Sequence, residues 1–81
     1  MANRRTNVDD ILHAYLLAHS VREHPAQTGL REATRSQPHA GMQIGPEQAQ
    51  FMALLVRSIG ARRAIEVGVF TGYSALAVAL A

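Results

Sequence analysis

One run in this sequence reads as a β-strand, and it constrains the fold more than any other feature. Ala64-Ile65-Glu66-Val67 is short, apolar and β-branched, bounded by Arg63 and Gly68, a pattern that favours a buried strand. A lone strand leaves its backbone donors and acceptors without a ladder, so it must pair with something outside this reading. Residues 68–72 then read as a glycine turn. From Gly72 or Tyr73 onward the Ala- and Leu-rich stretch to Ala81 reads as a helix suited to packing on a sheet. It has no Gly cap and no basic last turn, so it reads as an interrupted helix.

The rest of the chain is helical in pattern. Across residues 8–21, Val8, Ile11, Leu12, Tyr15, Leu16 and Ala18 fall at helical spacings, with Asn7 as N-cap and Asp9 and Asp10 at the positive helix end. His24-Pro25 marks a break. A weaker helix then runs over residues 25–35, with Leu30 and Ala33 as its modest apolar face. Residues 36–45 contain Pro38, Gly41 and Gly45 and read as a loop that is unusually apolar at Met42 and Ile44. Pro46 suits the first position of a third helix carrying Phe51, Leu54, Leu55 and Ile59, which Gly60 closes.

With 81 residues, 48% of them hydrophobic and 17% charged, the chain is one domain at most and not a disordered one. There is no Cys, so disulfides and thiolate zinc sites are excluded, which accords with a reducing cytoplasm. The basic residues are all Arg, spread along the chain and interleaved with acids to a net charge of +2. That distribution reads as solvated surface and gives no basis for nucleic-acid binding. No cleavable leader is read, and the longest uncharged run, residues 67–81, contains Gly68, Thr71 and Gly72 and is too short to span a bilayer.

The chemistry concentrates in Ile65-Glu66-Val67-Gly68-Val69-Phe70-Thr71-Gly72-Tyr73-Ser74. A strand ending in an acid, a glycine turn and a helix start together aim backbone N–H groups at a crevice and favour an anionic ligand group. Gly68 permits close approach of ligand to backbone, and Ser74 adds a hydroxyl. The dinucleotide pattern fails because Phe70 stands at its second glycine, and the phosphate-loop pattern fails in spacing and in its missing Lys. S-adenosylmethionine, whose carboxylate can sit at a helix start, is the third ligand class.

The ordered set Met42-Gln43-Ile44, Gln50-Phe51, then Glu66-x-Gly68-x-x-x-Gly72-Tyr73-Ser74 resembles the N-terminal part of the cation-dependent O-methyltransferases related to catechol and caffeoyl-CoA methyltransferases. The resemblance covers at least residues 30–81. It implies an α/β fold: N-terminal helices, then the first strand and following helix of a Rossmann-like class I methyltransferase, truncated and mostly helical as it stands. The 81 residues would form a single incomplete domain, with residues 1–45 as helices and a cofactor-covering loop and residues 46–81 as the start of the core.

The same resemblance implies an S-adenosylmethionine site. Met42 and Ile44 would lie over the methionine part, Gly68 would give backbone contact, and Tyr73 and Ser74 would hold the methionine end. Glu66 would orient cofactor and turn. A divalent cation such as Mg2+, the ribose-binding acid, the general base and most of the pocket for a small hydroxylated acceptor belong, in that family, to segments later than Ala81. No catalytic or metal-binding residue is therefore assigned here, and the chain alone is expected to be inactive. The competing expectation is a non-enzymatic helical module that pairs with another chain. Homo-oligomerisation and a cytoplasmic location are expected of either.

Each residue also has a plainer role. Met42 and Ile44 can be core plugs, and Tyr73 can pack on the sheet. Glu66 can cap a helix or pair with Arg62 or Arg63, and Ser74 can cap. His13, His19, His24 and His39 read as surface or hydrogen-bonded histidines, and Arg31 and Arg35 as a solvated helix face.

Overall fold

The computed structural model describes residues 8–81, in which four helices surround a very small core. Helix α1 is Asp10–Ser20, α2 is Pro25–Thr34, α3 is Pro46–Ile59 and α4 is Tyr73–Leu80, with a 3₁₀ turn at Ala40–Met42. The long α3 packs on α4 and on α1, while α2 packs on α4. No helix among the described residues is long and apolar enough to cross a membrane.

The helix boundaries follow from local chemistry. Asn7, the expected first cap, lies outside the described residues. Asp9 caps α1 instead, its Oδ1 accepting the Leu12 N–H at 2.8 Å. Helix α2 opens on a reciprocal pair that the His24-Pro25 break did not suggest: His24 Nδ1 accepts the Ala26 N–H at 3.0 Å, and Gln27 Oε1 accepts the His24 N–H at 2.9 Å. Pro25 then takes the first turn, where a missing N–H costs nothing. Pro46 opens α3 in the same way, and Gly60 closes it in the left-handed region at φ 64°, a conformation that needs no Cβ.

The expected strand is corrected. Residues 61–67 form no regular element, and no strand occurs among the described residues. Ile65 is 95% exposed and Val67 94% exposed. The physical reason is the one that made the strand conspicuous: a strand exists only against a second one, and no other described segment supplies its ladder. The apolar stripe of α1 is likewise unburied, with Ile11 and Tyr15 mostly exposed and no buried residue in the helix.

The core is Ala49 of α3 with Tyr73 and Ala77 of α4, flanked by the partly buried Leu30 and Ile44. Two small residues let α3 and α4 approach closely, and the Tyr73 ring fills the remaining space under α2. This places the start of α4, and hence the glycine turn, against the only well-packed part of the described molecule.

Candidate functional site

Three positive φ angles within five residues build the turn between residue 67 and α4: Gly68 at 78°, Phe70 at 54° and Gly72 at 96°. Gly68 and Gly72 take such values without steric cost, whereas Phe70 pays for its Cβ in the left-handed region. One backbone bond closes the turn, from Gly72 N–H to Val69 C=O at 3.0 Å. Gly72 stands at the N-cap of α4 and contributes no side-chain bond, so the first amides of α4 are not capped by it.

Five of the six expected cofactor residues meet here. Met42, Ile44, Gly68, Tyr73 and Ser74 line one recess of about 60 Å³, together with Gln43, Val69 and Phe70. The sixth, Glu66, lies on an adjoining groove of about 430 Å³ whose walls include Met52, Val56 and Val78. Ser74 joins the two, donating its hydroxyl to Glu66 Oε1 at 2.7 Å. That bond decides between the plainer roles: Ser74 is not the helix cap, and Glu66 forms no ion pair with Arg62 or Arg63 among the described residues. Glu66 Oε2 and Gln43 Nε2 are buried and have no hydrogen-bond partner.

Orphaned buried polar atoms are costly, about 1–3 kcal/mol each, and persist where a ligand or water completes them. Here they are one acceptor that carries charge and one donor. A Cβ built on Gly68 would meet nothing within 4 Å, so the backbone is open to a ligand there. The recess has room for a small charged end-group and not for a nucleoside, since whole ligand sites usually run to several hundred Å³. The Gln43 donor, open backbone and size of the recess fit the amino-acid end of S-adenosylmethionine, with the Glu66 acceptor on the adjoining groove. No three His, Asp or Glu side chains among the described residues converge to hold a metal ion.

Tyr73 is only 2% exposed. Its ring belongs to the core and its hydroxyl donates to Glu23 Oε2. Glu23, in the link between α1 and α2, also takes a bidentate pair from Arg31, Nε at 2.8 Å and Nη2 at 2.9 Å, and the Thr28 hydroxyl at 3.0 Å. Arg31 is thus half-buried in an ion pair and not on a solvated face. The Arg31 hydrogen bonds hold the Glu23 carboxyl below its ordinary value near 4.5, against the opposing effect of burial. Burial, then the Glu23 carboxylate, pushes the Tyr73 phenol up.

These shifts set a stability profile. With its folded pKa depressed, Glu23 contributes fully above about pH 4.5, and the contribution is lost as pH falls through the folded value. Tyr73 works in the opposite direction: its raised value makes stability fall once pH passes the ordinary phenol value of 10.0. Urea midpoints measured from neutral pH into acid should decline for the native chain, and Glu23→Gln should remove part of that slope. An unchanged acid slope in the variant would show that other groups carry it.

Gln43 and Val69 at the recess, and Glu23 behind it, were not expected from the sequence, whereas Phe70 was expected, with Thr71, to shape the turn. Gln43 was signalled by its place between Met42 and Ile44. Nothing local signals Glu23, whose partner Tyr73 is 50 residues away.

A family model described as O-methyltransferase matches residues 17–81. The mouse (Mus musculus) catechol O-methyltransferase domain-containing protein 1 is 52% identical over 73 residues, covering 90% of this chain and 28% of that protein. Caffeoyl-CoA O-methyltransferase of Medicago sativa is 45% identical over 74 residues, 89% of this chain and 30% of that protein. Caffeoyl-CoA O-methyltransferase 1 of Zea mays is 43% identical over 74 residues, 89% and 29% respectively. The chain thus spans less than a third of the length of these relatives.

Proposed function

The chain belongs to the O-methyltransferase family, and on that premise we propose that it provides the methionine-binding part of an S-adenosylmethionine site. The single observation that carries this reading is the convergence of Met42, Ile44, Gly68, Tyr73 and Ser74 on one recess. Glu66, bonded to Ser74 at one oxygen and unsatisfied at the other, takes the ligand's ammonium. Gln43 and the turn amides take its carboxylate. Met42 and Ile44 cover the apolar chain between these groups and the sulfur.

S-adenosylmethionine supplies an electrophilic sulfonium methyl group. The contribution of this chain is to bind and orient, so that the methyl group meets its acceptor in line. The acceptor is a hydroxyl of a catechol- or caffeoyl-CoA-like small molecule, and the surrounding fold is Rossmann-like. Metal assistance is part of the proposal for the whole enzyme, with no residue of this chain as ligand. The 81 residues alone transfer no methyl group.

Calorimetric titration tests the reading. S-adenosylhomocysteine should bind, methylthioadenosine, which lacks the amino-acid end, should bind at least about tenfold more weakly, and Glu66→Ala should abolish that preference. Equal affinity for the two ligands would overturn the assignment of the methionine end to this recess. Labelled methyl transfer to a catechol with Mg2+ supplied should give no turnover by the 81-residue chain, and sustained turnover would overturn its inactivity.

A further inference from the structure

The turn that lines the recess is held by very little of its own. Residues 62–71 make one backbone hydrogen bond to a later residue, the Val69 to Gly72 closure, and three positive φ angles, at Gly68, Phe70 and Gly72, lie within residues 68–72. A conformation of this kind persists only where its surroundings over-determine it. No strand ladder is present among the described residues to do so.

Two side-chain ties reach the turn from α2 and the link before it. Tyr73, directly after Gly72, donates to Glu23. Thr71, directly before Gly72, meets Thr34 at 2.8 Å. The Thr34 hydroxyl spends its one proton on the Leu30 carbonyl at 2.8 Å, so Thr71 is the donor in the pair, and Thr34 is 1% exposed. The two ties bracket Gly72 and both end on the segment 23–34. Glu23 is itself immobilised: Arg31 grips both its oxygens and Thr28 takes one of them. A bidentate Arg–carboxylate pair fixes direction as well as distance. Neither Glu23 nor Thr34 lines the recess.

We propose that Glu23 and Thr34 are positioning residues that clamp the turn 68–72 from both sides of Gly72, so that ligand affinity at the recess depends on side chains that do not touch the ligand. The proposal rests on the reading of the recess as a methionine-end site. Its logic is that of preorganisation: a turn already held in the binding shape loses little freedom when the ligand arrives.

Amide hydrogen exchange on the full chain, read residue by residue by NMR, tests the clamp without ligand. In Glu23→Ala and in Thr34→Val, the Gly72 and Leu76 amides, bonded to Val69 and Gly72 carbonyls, should exchange at least about tenfold faster while amides inside α3 keep their rates. S-adenosylhomocysteine affinity should fall about tenfold in each variant, and Glu23→Ala should add nothing further once Tyr73→Phe has removed the shared hydroxyl. Unchanged Gly72 and Leu76 rates in both variants would overturn the proposal. So would equal acceleration of α3, which marks a merely structural role, or additive losses of affinity with Tyr73→Phe. If the native chain binds no S-adenosylhomocysteine, the functional reading fails by itself, and the exchange rates still judge the clamp. Thr34→Val exchanges a hydroxyl for a methyl of similar size, so it keeps the test open should Glu23→Ala not fold.

Discussion

Tyr73→Ala is expected to leave the chain unfolded at room temperature, whereas Tyr73→Phe should keep it folded with a lower melting temperature. Tyr73 is the largest fully buried side chain, and its only fully buried apolar companions among the described residues are Ala49 and Ala77. Truncating a buried aromatic residue costs about 3–5 kcal/mol. A chain of 81 residues has about 4–12 kcal/mol to lose by the usual per-residue scaling, and one with so thin a core stands at the low end. Removing the hydroxyl alone deletes the bond to Glu23 and keeps the ring in place, a loss of about 1–2 kcal/mol. Circular dichroism during a thermal scan separates the two. A cooperative melt of Tyr73→Ala close to that of the native chain would mean that the core lies elsewhere.

That asymmetry explains which parts of the fold were legible in the sequence. Helices α2, α3 and α4 are bounded by Pro25, Pro46, Gly60 and Gly72, residues whose backbone restrictions act locally, so their limits can be read from the chain alone. Met42, Ile44, Glu66, Gly68, Tyr73 and Ser74 could be picked out because they stand in a recognisable order, and packing brings Met42 and Ile44 to one recess with Gly68, Tyr73 and Ser74. The ties that hold them were not. Glu23 to Tyr73 and Thr34 to Thr71 are long-range contacts between polar residues, with no periodicity to announce them. Arg31 looked like a solvated charge for the same reason. Helix α1 shows the opposite error: its apolar stripe is real, but a stripe states only that a face can be buried, and here Ile11 and Tyr15 face solvent.

The sharpest disagreement between sequence and structure is also the most readily measured. Ile65 and Val67 have the composition of a buried strand and are among the most exposed apolar side chains of the described chain. Amides 62–67, which donate no backbone hydrogen bond to a described residue, should therefore exchange close to the free-peptide rate, at least about a hundredfold faster than amides inside α3. Ile65→Ser and Val67→Ser should each change stability by less than about 0.5 kcal/mol, as exposed substitutions do. In a paired and buried strand the same changes would cost several kcal/mol, about the penalty for emptying a core position and burying a hydroxyl. Slow exchange across 62–67 would overturn the unpaired description. A dilution series then identifies the partner strand: protection that fades on dilution comes from a second copy of the chain, because intermolecular pairing alone depends on concentration.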